Sequence, residues 1–468
     1  MRYISTRGEA APRGFEDVLL AGLAEDGGLF VPEAWPRLGA AEWRALRGLP
    51  YAELAARIIH PFTGGALGFE ELHALTRAAY AGFRHPATVP LVQLGPRDFA
   101  LELFHGPTLA FKDVALQLLG RLFDHVLARR GERITILGAT SGDTGSAAIE
   151  ACRDRAAVDI VILHPRGRTS EVQRRQMTTV LAPNVVNIAI EGSFDDCQDL
   201  VKAMFMDAPF RAEMRLAAVN SINWARIAAQ IPYYAAAALA LGAPERAVAV
   251  SVPTGNFGNV LAAWAAKRMG LPIARLIVGA NRNDILARFL AANDMSVRAV
   301  EPSLSPSMDI QVSSNFERLL FELLGRDAAA TARTMRDFRA TGRMPVPDPA
   351  WRAATAEFAG FSLDDAGTLA EIARWHREAG YLADPHTAVG LAAGRACAPA
   401  DRGVPVVTAA TAHPAKFPEA VERATGQRPP LPPALADLHA REERLCVLPN
   451  DLAAVQGFLR RHALRNAA

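Results

Sequence analysis

Strand and helix patterns alternate along most of this 468-residue chain, and this alternation limits its fold more than any other feature. Parallel strands need a crossover between them, usually a helix, so the alternation predicts parallel sheets covered by helices. The predicted strands lie at 133–138, 159–163, 185–190, 247–252, 273–278 and 404–408. The predicted helices lie at 114–129, 144–152, 170–181, 194–206, 225–241 and 260–269, with another from about 418.

The flanking regions have a different character. Residues 1–85 predict a small, mostly helical region, with helices at 15–23, 40–46, 51–59 and 69–83. Strands at 91–93 and 99–103 follow, and further helices are predicted at 315–338 and 366–380. A proline-rich segment at 428–433 leads to a short tail. The chain is too long for one hydrophobic core, so we expect two or three domains of the α/β class.

Composition excludes several classes of function. The net charge is +2, and arginines stand close to acidic residues, so we expect no nucleic-acid and no membrane partner. The cysteines at 152, 197, 397 and 446 are far apart and fit no metal site, so we predict no metal. Unpaired thiols and the absence of a signal-peptide pattern predict a cytoplasmic protein.

Lys112 is the first candidate for chemistry. It lies in a run of apolar and small residues, and the chain has only three other lysines, at 202, 267 and 416. Apolar surroundings lower the pKa of an amine, and a neutral amine can form a Schiff base with an aldehyde. The alternative is a structural lysine whose charged end reaches solvent from a helix start.

Three loops follow predicted strands. Residues 138–145 and 251–259 are rich in glycine and hydroxyl groups and lead into helices, where backbone amides and the helix dipole attract an anion. Neither has the P-loop or the dinucleotide fingerprint. In the loop at 408–417, Thr411 could direct its hydroxyl at a ring nitrogen. For all three, a capped turn with no ligand is the alternative. Two anion loops and one lysine suggest a phosphorylated aldehyde cofactor.

Together these stretches resemble the threonine synthases, which are pyridoxal-phosphate enzymes of fold type II, the tryptophan synthase β-like group. The longer form of many bacteria and fungi is the closer likeness. The resemblance rests on nine stretches in family order: 3–8, 22–32, 103–113, 139–145, 220–226, 254–259, 306–318, 384–388 and 411–417.

The resemblance implies a fold and a cofactor site. It implies two three-layer αβα domains with the cofactor between them. The implied limits are an N-terminal region 1–85, a large cofactor-binding domain 86–112 and 226–425, a small substrate-closing domain 113–225, and a tail 426–468. Lys112 would hold pyridoxal phosphate and shuttle protons, and Thr411 would face the pyridine nitrogen. The cofactor phosphate would be bound by backbone amides of Gly255, Asn256, Phe257, Gly258 and Asn259.

Asp143 departs from the shorter relatives, which carry asparagine against the phenolic oxygen of the cofactor. A carboxylate beside a phenolate must be protonated or turned away. The resemblance gives no role for Asp384 or His386.

The implied substrate is O-phospho-L-homoserine, converted with water to threonine and phosphate by γ-elimination and β-addition. The loop at Ser141, Gly142 and Thr144 would hold its α-carboxylate. Asn220, Ser221 and Arg226 would hold its phosphate, since the guanidinium fork suits a phosphate, with help from Lys416.

Two other functions stay open. A phospho-lyase or dehydratase that releases 2-oxobutanoate would use the same lysine and loops. A non-catalytic scaffold is the second, and the intact Lys112 and the unbroken loop at 255–259 argue against it. A monomer and a homodimer are both compatible with the sequence.

Overall fold

The computed structural model describes residues 1–140, 142–218 and 221–466, with side chains up to residue 462. The chain forms two compact units. The first comprises Met1–Phe111 and Ser221–Pro430, and the second comprises Lys112–Asn220 and Leu431–Ala468.

The first unit is built on a six-stranded sheet. All neighbouring strands are parallel except the pair at 91–93 and 98–102. The strand order is Phe358–Ser362, Ile273–Ala280, Val248–Pro253, Val406–Ala410, Asp98–Glu102 and Leu91–Gln93. Every residue of Val248–Pro253 is buried, as expected for a central strand covered on both faces.

Helices of the first unit cover this sheet and form the N-terminal region. The N-terminal region has a two-stranded antiparallel sheet, Tyr3–Ser5 with Phe30–Pro32. Its helices are Phe15–Ala21, Ala40–Ala45, Tyr51–Thr63 and Phe69–Tyr80. The other α-helices of the unit are Trp224–Ala228, Ile231–Ala240, Gly258–Arg268, Ile285–Ala292, Phe316–Leu323, Ala328–Thr341, Asp348–Glu357, Asp365–Ala379, Pro385–Ala396 and Pro418–Thr425.

The second unit is built on a five-stranded parallel sheet. Its strand order is Cys446–Pro449, Val185–Glu191, Val158–Pro165, Ile134–Ala139 and Leu216–Ala217. Its helices are Lys112–Arg130, Asp143–Cys152, Glu171–Thr178, Phe194–Met206, Ala208–Glu213 and Leu452–Asn466. Strand 446–449 pairs with 185–191, so residues 431–468 belong to this unit, whereas we expected a separate tail from 426.

The α/β class is confirmed, but two predicted helices are wrong in detail. The helix expected at 225–241 is two helices, since Pro232 lies in the first turn of the second. The helix expected at 315–338 is interrupted after Leu323, and Asp327 caps the next one.

Candidate active site

Two helices of the second unit start at the candidate site. Lys112 and Asp143 are the first residues of Lys112–Arg130 and Asp143–Cys152. At Gly120, a Cβ would lie 2.2 Å from the carbonyl oxygen of Ala151, so only glycine permits this close approach. Gly120 and Ala151 lie equally far along their helices, and the first residues of the same two helices are also in contact, so the helices run side by side in the same direction. This packing brings Lys112 and Asp143 together.

Lys112 and Asp143 form a buried ion pair. Their side chains are 9% and 6% exposed, and Lys112 Nζ lies 3.3 Å from Asp143 Oδ2. The other carboxylate oxygen, Oδ1, accepts a hydrogen bond of 3.0 Å from Gln173 Nε2. Ser170 Oγ in turn donates to Gln173 Oε1 at 3.0 Å, which fixes the orientation of the amide. The Asp143 carboxylate is therefore held with one oxygen directed at the lysine.

The loop before Asp143 is shaped around Gln173. Gly142 has φ of 145°, a conformation that favours glycine, and a Cβ there would lie 2.5 Å from Gln173 Cδ. Thr140 Oγ1 accepts hydrogen bonds from the amides of Gly142 and Gly145. Thr144 is partly exposed in the first turn of the helix. The predicted site residue Ser141 lies outside the described residues.

In the first unit, residues 254–259 connect strand Val248–Pro253 to helix Gly258–Arg268. Phe257 has φ of 61° and caps this helix without a side-chain hydrogen bond. A Cβ at Gly255 would lie 3.0 Å from the Ser307 carbonyl oxygen and from Ile310 Cδ1. The first amides of a helix lack intrahelical partners, and glycine lets a ligand approach the backbone. This loop fits a phosphate group.

Asn259 and Arg226 add buried polar groups near this loop. The hydroxyls of Tyr233 and Tyr234 both donate hydrogen bonds of 2.5 Å to Asn259 Oδ1. Arg226 is 5% exposed, and its burial lowers its pKa to about 10. Arg226 Nη1 and Asn259 Nδ2 have no hydrogen-bond partner among the described residues. Buried donors without partners are costly, and an anion would satisfy them.

Ser221 lies close to the side chain of Asn256. Ser221 Oγ is 3.2 Å from Ser314 Oγ, which donates to Asn256 Oδ1 at 3.1 Å. The carbonyl oxygens of Ser221 and Asn256 both accept hydrogen bonds from Asn315 Nδ2. Ser221, which we predicted at the substrate phosphate, and Asn256, which we predicted at the cofactor phosphate, thus belong to one network of hydrogen bonds. Asn220 lies outside the described residues.

The loop after strand Val406–Ala410 carries Thr411 and Lys416. Thr411 is 5% exposed, and its backbone pairs with two segments of the same unit: its amide donates to Thr387 Oγ1, and its carbonyl accepts from Phe111 N at 2.8 Å. Lys416 is 1% exposed, and its Nζ donates to the Thr108 carbonyl oxygen at 2.7 Å. Lys416 thereby holds the segment that leads to Lys112.

Some residues of the site were not found from the sequence. Gln173 lies in a helix and no local pattern marks it. The tyrosine pair at 233 and 234 lies in an alanine-rich helix that the sequence analysis predicted without a role in the site. Asp384 and His386 were noticed without a role, although an aspartate before Pro385 is a recognisable helix cap.

Among the residues that the structure describes, no group of three or more His, Cys, Asp or Glu side chains is arranged to hold a metal ion. In the same residues, no helix has the length and apolar character needed to cross a membrane.

The chain was compared with known proteins. Three family models match it: "Threonine synthase N terminus" over residues 2–80, "Pyridoxal-phosphate dependent enzyme" over 90–343, and "Threonine synthase, C-terminal" over 387–459. It is 58% identical over 466 residues to the threonine synthase of Pseudomonas aeruginosa, covering 99% of both chains.

Solved structures give the same result. The pyridoxal-phosphate-bound threonine synthase of Brucella melitensis superimposes with a TM-score of 0.97 at 53% identity, covering 99% of both chains. The yeast threonine synthase superimposes with a TM-score of 0.94 at 37% identity, again covering 99% of both chains.

Proposed function

Because the chain belongs to the threonine synthase family of pyridoxal-phosphate-dependent lyases, we propose that it converts O-phospho-L-homoserine and water to threonine and phosphate. The cofactor is pyridoxal phosphate. When bound, this cofactor accepts the electrons left at the α-carbon of an amino acid after a proton is removed. The observation that carries the proposal is the buried Lys112 amine, 3.3 Å from a carboxylate oxygen.

Lys112 would bind the aldehyde of the cofactor as a Schiff base and then move protons at the substrate. The Asp143 carboxylate supports the proton transfer, because it can stabilise the protonated amine in a buried position. It also means that Lys112 does not lie in the purely apolar surroundings that we expected from the sequence. Asp143 Oδ2 would stabilise a proton on Nζ, and Gln173 would keep the carboxylate from turning. Contact between Asp143 and the phenolic oxygen stays a prediction.

The first-unit loop would hold the cofactor phosphate. We assign this to the backbone amides of residues 255–259, supported by the glycine geometry at Gly255 and the helix start at Gly258. Thr411 would direct a neutral hydroxyl at the pyridine nitrogen. A hydroxyl leaves that nitrogen less protonated than a carboxylate would, which favours elimination and replacement chemistry.

The substrate phosphate would meet Arg226, with Asn220 and Ser221. The buried guanidinium with an unpartnered Nη1 among the described residues supports this assignment, since a dianion would compensate its charge. The substrate α-carboxylate would bind at Ser141, Gly142 and Thr144, beside the start of helix Asp143–Cys152.

Lys416 would contribute positive charge, although its Nζ already donates to Thr108 O. Further proposals are a cytoplasmic location, which the four free cysteines support, and a monomeric or homodimeric state.

The test is a combined proton and phosphorus NMR time course with purified protein, pyridoxal phosphate and O-phospho-L-homoserine. Threonine should appear in step with inorganic phosphate. Lys112→Ala should abolish turnover, while Lys202→Ala should not, because Lys202 is 68% exposed and pairs with Asp199 on the surface.

Other outcomes would correct the proposal. If 2-oxobutanoate replaces threonine, the chain is a phospho-lyase and the water-addition step is wrong. If neither product forms and the cofactor does not bind, the enzymatic function itself is refuted.

A further inference from the structure

Asp384 does more than cap a helix. It precedes helix Pro385–Ala396 and is completely buried. Its two oxygens accept the amides of His386 and Thr387 at 2.9 and 3.2 Å, as a cap does. They also accept the side chains of the same two residues: His386 Nδ1 at 2.8 Å on Oδ1, and the Thr387 hydroxyl on Oδ2. The carboxylate therefore fixes the direction of two side chains.

His386 connects Asp384 to a turn at 305–309. The Ser307 amide lies 3.3 Å from His386 Nε2, and an amide nitrogen can only donate. Nε2 must therefore carry the lone pair, and the ring proton must be on Nδ1, facing Asp384. The Phe417 ring lies 4.9 Å from the His386 ring and limits its rotation.

The turn held by His386 forms one wall of the loop at 254–259. The Ser307 carbonyl oxygen and Met308 Cα lie 3.0 and 3.2 Å from the place where a Gly255 Cβ would be. Ser313, further along the same segment, donates from Oγ to the Gly255 carbonyl oxygen at 2.7 Å. A shift of Ser307 would therefore change the space available to the Gly255 backbone.

Thr387 connects Asp384 to Thr411. The Thr387 hydroxyl donates its only proton to Asp384 and accepts the Thr411 amide at 3.2 Å. Two chains of hydrogen bonds therefore end at the Asp384 carboxylate. In one, the Thr411 amide donates to Thr387, which donates to Asp384. In the other, the Ser307 amide donates to His386, which donates to Asp384. Such chains are cooperative, because each bond polarises the next.

We propose that Asp384 is a positioning residue that couples, through Thr387 and His386, the backbone at Thr411 with the wall of the loop at 254–259. This rests on the proposed function, in which those two segments bind the ring nitrogen and the phosphate of pyridoxal phosphate. Asp384 sets the spacing at which both ends of the cofactor are bound, without touching the cofactor.

The test measures cofactor affinity in the full chain after removal of pyridoxal phosphate. Thr387→Val keeps the side-chain shape but removes the hydroxyl and both of its hydrogen bonds, so it should raise the dissociation constant of pyridoxal phosphate about fivefold or more. Thr387→Ser restores the hydroxyl and should return the constant to within about twofold of wild type. Asp384→Asn should raise it roughly tenfold or more, because the negative charge is lost and one of the two acceptor oxygens becomes an NH2 donor that faces another donor.

Matched controls come from another capped helix of the same unit. Asp364 accepts the Gly367 amide at the start of Asp365–Ala379, and the buried Thr368 donates to the Asp364 carbonyl oxygen. Thr368→Val should lower the unfolding temperature of the apoprotein, and both Thr368→Val and Asp364→Asn should leave cofactor affinity unchanged.

Absorption and phosphorus NMR spectra distinguish the two chains of hydrogen bonds, one through Thr387 and the other through His386. Thr387→Val should alter the absorption band of the bound ring more than its phosphorus resonance, and His386→Phe should do the reverse. The proposal is overturned if Thr387→Val binds pyridoxal phosphate as wild type does, or if Thr368→Val weakens binding equally. If the wild-type apoprotein does not bind pyridoxal phosphate, the proposed function falls as well, so the two failures are distinguishable.

Discussion

Replacing Gln173 by methionine tests how the site controls its carboxylate. Methionine has a similar length but no N–H, so Asp143 Oδ1 would lose the 3.0 Å hydrogen bond from Nε2. Gln173 and Asp143 are 7% and 5% exposed, so water would not readily replace the lost donor. A hydrogen bond to a charged group contributes about 1.5–3 kcal/mol.

That free energy sets the expected loss of activity. If the bond serves to hold Asp143 Oδ2 towards Lys112, its loss raises the barrier by about the same amount, and kcat falls about 10- to 100-fold. The change should be larger in kcat than in KM, since Gln173 acts on the proton at Lys112. Steady-state phosphate release over a range of O-phospho-L-homoserine concentrations up to saturation measures both constants.

Gln173→Glu gives a different signature. It would place a second carboxylate about 3 Å from Asp143, and with an effective dielectric constant near 20 their repulsion is about 5 kcal/mol. The pair should therefore share a proton, and the activity of Gln173→Glu should rise as the pH falls, relative to Gln173→Met.

The control is Gln117→Met, since Gln117 is equally buried and its Oε1 accepts from Arg121 on the same helix. Wild-type kcat in Gln173→Met, or an equal loss in Gln117→Met, would refute the reasoning.

Two further predictions concern stability and packing. Burial and the nearby Arg84 lower the pKa of His413 to about 4. Between pH 6.5 and 4 the unfolded chain therefore binds a proton that the folded chain does not. The free energy of unfolding falls with falling pH across this range, by about 3 kcal/mol in total. His413→Asn, which can still accept the Ala415 amide, should lose less stability when urea unfolding is compared at pH 7.5 and 4.5; an equal loss would contradict the assignment. Gly120→Ala would push a methyl group against the Ala151 carbonyl oxygen, so it should destabilise the second unit by about 1–3 kcal/mol and reduce turnover. Faster hydrogen exchange of the amides of the second unit would detect the loss of stability, and steady-state kinetics would detect the loss of turnover. Unchanged exchange and unchanged kinetics would refute the close-packing argument.

Two of the strands that the sequence predicted well are buried on both faces, although the partly buried edge strand Leu91–Gln93 was predicted well too. Val158–Pro165 and Val248–Pro253 are almost entirely buried, and their apolar runs matched within two residues. In the two large sheets, the strands that it missed are Leu216–Ala217, Phe358–Ser362 and Cys446–Pro449, which all lie at sheet edges, and it also missed the small sheet of Tyr3–Ser5 with Phe30–Pro32. An edge strand packs on fewer neighbours, so its sequence need not be apolar, and only its long-range pairing makes it a strand.

The helix errors have local causes that the sequence already contained. A proline is tolerated in a first turn, so Pro232 marks a helix start where we assumed continuity. Arg326 has φ of 65° and Asp327 caps the following helix, which together end the predicted run at 315–338. In both cases the apolar periodicity continues across the point where one helix ends and the next begins, so periodicity alone predicts a single helix.

The loops of the candidate site could be predicted because parallel strands bring their carboxyl ends to one edge of a sheet. The orientation of the side chains could not, because it depends on partners from other elements. The Asp143 carboxylate is oriented by Gln173, which follows a different strand. The Asp384 carboxylate is connected to Ser307 through His386 and to Thr411 through Thr387.

Asp143 in the second unit and Asp384 in the first are both buried carboxylates at the start of a helix. The helix dipole favours both negative charges, but it does not determine where the oxygens point. Each carboxylate accepts a side-chain donor whose other atoms are fixed by a further hydrogen bond: Gln173 by Ser170, and His386 by Ser307. The position of each carboxylate at a helix start can therefore be predicted from the sequence. Whether it faces Lys112 or supports the wall of the loop at 254–259 follows only from the tertiary contacts of its donor.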